Sequence, residues 1–200
     1  MSLLSMLPSL SEFFRKRRQP SGYRPGVTLG HVRRNLANLS FEALAGADRG
    51  RFSVPGQRLS FEAQERTHSE LLMHLVVTDF LLQVPSLGNG ALHLDLRHSG
   101  ALKRTGIACK HRSGEATELA RLEAALVGDE QLRSTLMPLD FKRLSICREA
   151  DVWWVSLEHI GASEVVNRMP SFRRYIRLSD SQRDALVATF IALQRVLGSL

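Results

Sequence analysis

Residues 92–97 read Leu-His-Leu-Asp-Leu-Arg, an unbroken alternation of leucine with polar side chains. Successive side chains of a strand point to opposite faces, so this run fits a half-buried strand with Leu92, Leu94 and Leu96 inward. The stretch Gly106-Ile-Ala-Cys-Lys-His-Arg112 follows at hairpin distance. A two-residue Ser99-Gly100 loop would pair position 97 with 102, 95 with 104 and 92 with 107. That register sets Ile107 and Cys109 beside the leucines. It also opposes Asp95 to Arg104, with Arg97, Lys110 and Arg112 along the same polar face.

The remaining pattern extends a sheet and adds helices. Leu59, Phe61 and Ala63 alternate with polar residues and predict a strand from about Gln57. Residues 71–84 admit two readings. Thr67-His-Ser-Glu70 has capping-box form, which favours a helix. The run Val76-Val77-Thr78 before Pro85 favours a buried strand, the reading taken here. A hairpin of Phe141–Arg148 with Val152–Ile160 through Glu149-Ala150 turns Leu144 and Ile146 toward Trp153, Val155 and Leu157. A last strand is expected from about Arg173 to Leu178. Helices are expected over Thr28–Leu39, Glu115–Val127, Asp129 to before Pro138, and Asp180–Leu197, the last capped by Ser179 with Gln182. Residues Gly46–Gly56 read as loop. The fold class is therefore α+β: a curved, mostly antiparallel sheet, ordered strands-helix-strands-helix, with helices packed on one face.

The basic charge is localised. The formal net charge is +7, yet residues 1–40 hold seven basic side chains against one acid, Glu12. Residues 41–200 hold 20 basic and 19 acidic groups and are close to neutral. Leu3, Leu4, Leu7, Leu10, Phe13 and Phe14 recur at helical spacing ahead of the block Arg15, Lys16, Arg17 and Arg18, with Pro8 inside the pattern. The expected organisation is an amphipathic, basic arm and linker over residues 1–26, with a single α+β domain over 27–200. Leucines and phenylalanines beside a polybasic block fit an interfacial helix at an anionic membrane, a helix docked on its own domain or a partner, or a disordered tail.

With two cysteines in 200 residues the chain needs no oxidising compartment. Its longest apolar stretch, Leu71 to Val84, is broken by His74, Thr78, Asp79 and Gln83, and the N-terminal charges follow the apolar run rather than precede it. The cytoplasm is the expected location, with peripheral contact at the inner membrane as a variant.

No motif points to chemistry. Cys109 and His111 would share a strand face about 7 Å apart, too far for direct activation. His93 and Asp95 share a face with no third metal ligand identifiable, and Gly88-Asn-Gly90 is a turn rather than a phosphate cradle. Neither a catalytic residue, a metal site nor a cofactor is expected. An enzyme built around His93, Asp95 and His111 remains a minor alternative.

Two basic segments carry the functional expectation. Residues 97–112 hold Arg97, Lys103, Arg104, Lys110 and Arg112 and no acid. Residues 168–177 hold Arg168, Arg173, Arg174 and Arg177 with Phe172 and Tyr175 interleaved. Brought together by strand pairing, Arg104, Lys110, Arg112, Arg173, Arg174, Tyr175 and Arg177 would form an anion-recognition surface, with Arg15–Arg18 as an accessory arm. The expected function is a non-enzymatic binding module for an anionic surface or acidic protein partner. Single-stranded nucleic acid is the alternative, motivated by aromatics among arginines.

The phrase Arg168-Met-Pro-Ser-Phe-Arg-Arg-Tyr-Ile-Arg-Leu178, running into a capped helix, with Gly106-Ile-Ala-Cys-Lys-His-Arg112 upstream, resembles a proteobacterial family of small basic proteins known under a domain-of-unknown-function label. The resemblance covers most of residues 50–200. It implies a bacterial source and carries over no activity, ligand or catalytic residue.

Overall fold

The computed structural model describes residue 20 and residues 22–69, 73–100 and 104–200. The expected arm helix with Arg15–Arg18, and also Glu70 and Lys103, lie outside the described residues.

Among the described residues four helices and nine strands follow in the order α1 (Val27–Asn35), β1 (Ser40–Ala43), β2 (Arg49–Ser53), β3 (Ser60–Ser69), β4 (Met73–Pro85), β5 (Leu92–Ser99), β6 (Gly106–Ser113), α2 (Ala116–Gly128), α3 (Glu130–Leu136), β7 (Phe141–Glu149), β8 (Val152–Arg168), β9 (Ser171–Ile176) and α4 (Asp180–Gly198). The strands form one open antiparallel sheet in the order β1-β2-β3-β4-β8-β7-β5-β6, and β9 pairs with β8 off that path. The fold is α+β, mostly antiparallel, and residues 73–85 form a strand.

Core side chains run in rows across the pleat. Phe52 pairs with Phe61, Leu82 with Val155, Val155 with Ile146, and Ile146 with Leu94. A second row joins Ala63, Phe80, Leu157, Leu144, Leu96 and Cys109. Leu29 and Val32 of α1, Leu122 of α2, Leu132 of α3, and Leu186 and Phe190 of α4 belong to the same buried cluster. The Phe190 ring meets Phe61 at 4.9 Å between centroids. The α4 N-terminus carries the expected capping box between Ser179 and Gln182, and Glu115 and Asp129 cap α2 and α3 through their side chains.

Three expectations need correction. Residues 46–56 are not all loop: Arg49–Ser53 is a strand whose buried contribution is Gly50 and Phe52, too little apolar surface to reveal an alternation. The β5–β6 connection is longer than two residues, because Ser99 pairs with Gly106 and Asp95 with Lys110 rather than Arg104. The shift is an even number of positions, so Cys109 still shares a face with Leu96; only an odd slip would have exchanged the faces. The β7–β8 turn falls on Ala150-Asp151, since Glu149 pairs with Val152, again an even shift that leaves Leu144 opposite Leu157.

β8 is also longer than its alternation suggests. Its first part lies between β4 and β7, and its last part between β4 and β9. Between them β4 advances from Thr78 to Val76 while β8 advances from His159 to Glu164. Three extra residues in one strand form a wide bulge, with Ala162 at φ 65. Thr78 Oγ1 donates to the Ala162 carbonyl at 2.5 Å. The odd excess exchanges the faces: Trp153, Val155, Leu157 and His159 face the core before the bulge, Glu164 and Val166 after it.

Candidate anion-binding surface

Beyond the bulge the core side of the sheet carries charge. Glu65 of β3 and Glu164 of β8 are both buried there, and each is matched by donors from the segment entering α1. Glu65 accepts from Tyr23 Oη at 2.7 Å, Gly26 N at 3.0 Å and Leu29 N at 2.6 Å. It thereby caps the positive end of the helix dipole. Burial pushes the Glu65 carboxyl above its usual range against those donors, and burial beside that carboxylate also raises the Tyr23 hydroxyl. Gly26 holds φ 85, and a Cβ there would lie 2.6 Å from the Ala47 carbonyl oxygen, so the turn into α1 requires glycine. Glu164 accepts from Thr28 Oγ1 at 3.3 Å and pairs with Arg173 at 3.3 Å. Arg173 also donates to the Gly22 carbonyl.

The far end of α1 is held as firmly. Asn35, buried on the last turn, donates from Nδ2 to the Leu178 carbonyl at 3.2 Å. Its Oδ1 accepts from Leu178 N at 3.0 Å and from Tyr175 Oη at 3.3 Å. The Tyr175 ring stacks on His31 at 4.6 Å with an interplanar angle of 18°. Burial raises the Tyr175 hydroxyl, while the nearby Arg177 and Arg34 work in the opposite direction. Helix α1 therefore lies alongside β9, with residues 22–28 next to Arg173 and residues 31–35 next to Tyr175 and Leu178.

Cations from both segments lie near this joint but not on one face: Arg34 and Arg177 adjoin Tyr175, whereas Arg174 pairs with Val165, on the face of the sheet turned away from α1. Arg24, Arg33 and Arg34 on one side and Arg174 and Arg177 on the other are all exposed. None of the five forms an ion pair among the described residues. Arg33 lies over the Phe41 ring at 4.9 Å, and Arg34 contacts His31 Nδ1 at 2.9 Å. Arg168 lies on the last pair of the β8–β9 ladder, opposite Ser171.

The 97–112 segment is placed elsewhere. β6 ends the sheet, separated from β8 by β7 and β5, so the two basic segments are not adjacent strands. Two of its four described cations are matched locally. Arg104 pairs with Asp140 at 2.5 Å and donates to the Leu139 carbonyl at 2.9 Å. Arg112 reaches Asp95 Oδ2 through Nε at 2.7 Å and Nη2 at 2.6 Å. Burial would raise the Asp95 carboxyl, but Arg112 and Ser145 hold it below the usual range. Lys110 and Arg97 are exposed, and neither forms an ion pair among the described residues.

The histidine and cysteine alternatives separate in space. His93 Nε2 lies 2.9 Å from Ser145 Oγ and 3.4 Å from Asp95 Oδ1. A charge relay needs the hydroxyl and the carboxylate on different ring nitrogens, so this trio is not one. His111 is on the opposite face of the hairpin, 2.6 Å from Glu123. Burial pushes the Cys109 thiol up to about 12, with Glu123 adding to the effect, which removes its thiolate character at neutral pH. His159 is fully buried. Its Nε2 accepts from Asp140 N at 2.9 Å and its Nδ1 lies 3.1 Å from the Gly161 carbonyl, which fixes a neutral tautomer; burial lowers its pKa accordingly. Among the described residues no group of three or more His, Cys, Asp or Glu could hold a metal ion. A cavity of about 10 Å³ between Arg148, Trp153, Glu118 and Leu122 has room for roughly one water molecule. No helix among the described residues is long and apolar enough to cross a membrane.

One family profile, described as protein of unknown function DUF3156, matches residues 34–197. The chain belongs to this family. The DUF3156 match takes in all nine strands and the segment carrying Arg34, Arg174, Tyr175 and Arg177, and it begins at the end of α1. Residues 22–26 precede the DUF3156 region. No curated protein and no solved structure matches the chain.

Sequence reading located Arg173, Arg174, Tyr175 and Arg177 but joined them to the wrong neighbour. The residues it missed are Glu65, Glu164 and Asn35, whose roles depend on contacts 36–143 positions away in sequence. A signal for Glu65 was present. It occupies an inward position of the strand begun by Phe61 and Ala63, where a carboxylate demands a partner.

Proposed function

We propose that this DUF3156 chain is a non-enzymatic binding module that engages an anionic partner through the cations of α1 and β9. The observation that supports the reading is that Arg24, Arg33, Arg34, Arg174 and Arg177, in or next to α1 and β9, are exposed and without carboxylate partners among the described residues, with Arg34 and Arg177 both beside Tyr175 and Arg174 on the other face of β9. Arg173 takes the structural role of tying β9 to Gly22, and Tyr175 that of joining β9 to α1. Arg104 and Arg112 are neutralised by Asp140 and Asp95, which leaves Lys110 as a secondary contact. Helices kept to one side of the sheet would leave β9 open at its rim. Gly22 lies beside Arg173, and Arg15, Lys16, Arg17 and Arg18, which precede it in sequence, are taken as accessory contacts. A protein acting this way would work in the cytoplasm, against the inner membrane face or an acidic partner there.

The test is association with two polyanions, phosphatidylglycerol vesicles and a single-stranded oligonucleotide, at low and high salt. Each basic residue near an anionic surface contributes about 1 kcal/mol, so Arg174→Glu with Arg177→Glu should weaken binding at least tenfold. Raising ionic strength from about 0.01 M to 0.15 M shortens the screening length from about 30 Å to 8 Å and should have a comparable effect. Absence of binding to both probes, or binding indifferent to salt and to the double substitution, would remove the proposal.

A further inference from the structure

We infer that the tip of the β8–β9 hairpin is a membrane-insertion element and that the anionic partner is a phospholipid bilayer; this rests on the anionic-surface reading above. The two strands are joined by Met169-Pro170, between Arg168 and its ladder partner Ser171. Met169 on that turn is 76% exposed and Phe172, one position inside β9, is 46% exposed. Large apolar side chains this open are unfavourable in water, and here they lie within a few residues of Arg174 and Arg177. An apolar wedge flanked by cations matches the layering of an anionic bilayer surface, where the wedge enters the acyl boundary and guanidinium groups meet phosphates.

Two features favour lipid over the other polyanions. Binding of single-stranded nucleic acid needs aromatic rings free to stack on bases. Tyr175 is not free, since it is stacked on His31 and hydrogen-bonded to Asn35, which leaves Phe172 as the single exposed ring of β9, short of the successive stacking platform that a strand of bases needs. The most exposed apolar side chain of the tip is Met169, a thioether without a π face. An acidic protein partner would need an apolar patch broad enough to exclude water around its contacts. Here the apolar surface is concentrated at a two-residue turn, a shape that penetrates rather than covers.

The experiment places a reporter at the tip. Phe172→Trp in the full-length chain is titrated with phosphatidylglycerol vesicles, phosphatidylcholine vesicles and soluble inorganic phosphate, and its emission is compared with that of the parent chain, which carries Trp153 and Trp154 as background. The expected result is a blue shift with phosphatidylglycerol vesicles alone, and quenching of the added emission by lipids brominated on the acyl chain. Met169→Ser with Phe172→Ser should weaken vesicle association roughly tenfold, equal to about 1.4 kcal/mol, while leaving oligonucleotide binding and thermal stability unchanged. Salt-sensitive vesicle binding without quenching would overturn insertion and leave the anionic-surface reading standing. Oligonucleotide binding with no vesicle binding would overturn the lipid assignment, and binding to neither probe would overturn both.

Discussion

Replacing Asn35 by alanine should be among the more damaging single changes outside the apolar core. Leu178 is fully buried, and its N–H and C=O are both satisfied by the Asn35 carboxamide, at 3.0 Å and 3.2 Å. Truncation leaves one donor and one acceptor stranded where water has no access. Each buried unsatisfied group costs about 1–3 kcal/mol, so the pair sums to roughly 2–6 kcal/mol. Loss of the Tyr175 hydroxyl contact at 3.3 Å adds little, because that bond is long. Against a total stability of about 5–15 kcal/mol this is a large fraction. Urea unfolding followed by tryptophan fluorescence should show the midpoint falling by about 1 M or more with little change in slope. Asn35→Asp keeps an acceptor for Leu178 N but sets a carboxylate against the Leu178 carbonyl, so it should not rescue. Because Asn35 also sets α1 against β9, vesicle binding should weaken alongside. A stability loss under about 1 kcal/mol would refute the reasoning, since it would mean that Leu178 finds other partners.

Asp95 gives a pH-dependent outcome. Its carboxyl is held below the usual range by Arg112 and Ser145 despite burial, so its contribution is fully present above the unfolded pKa near 3.8 and is lost as pH falls through the lower folded value. Thermal melts of the parent chain and Asp95→Asn should differ by a constant margin between pH 5 and 7 and converge below that point; a gap that widens toward acid would contradict the pairing. Ser179→Ala removes the α4 cap and should cost about 1 kcal/mol by urea unfolding. A neutral result would mean that Gln182 and the helix backbone find water as a substitute.

Much of the sheet was legible because its signal is local. Leu92, Leu94 and Leu96 alternate without exception, and Leu144 and Ile146 face Val155 and Leu157 as their spacing implies. Face survived even where register failed, because both hairpins shifted by an even number of positions. The α4 cap was legible for the same reason, since Ser179 and Gln182 sit within one turn. The surface was not legible. Charge alone could not tell Arg173, spent on Glu164, from Arg174 one position later. Nor could it tell that Arg104 and Arg112 would be met by Asp140 and Asp95. Besides its ladder partner β8, β9 meets α1 through Asn35 and Tyr175, single polar residues that carry no pattern of their own.

The bulge in β8 constrains which sequences this architecture tolerates. A one-residue insertion or deletion between His159 and Glu164 would restore the ordinary pleat phase, turn Glu164 and Val166 outward, and present Val165 and Asn167 to α1. Thr28 and Arg173 would then lose their carboxylate, and residues 22–28 one of their two anchors. Changes of chain length within the family are therefore expected in connections such as 100–105 and to be excluded from this five-step span, whatever residues fill it. The spacing, more than the identity of the side chains, is what keeps the two halves of the strand facing their proper neighbours.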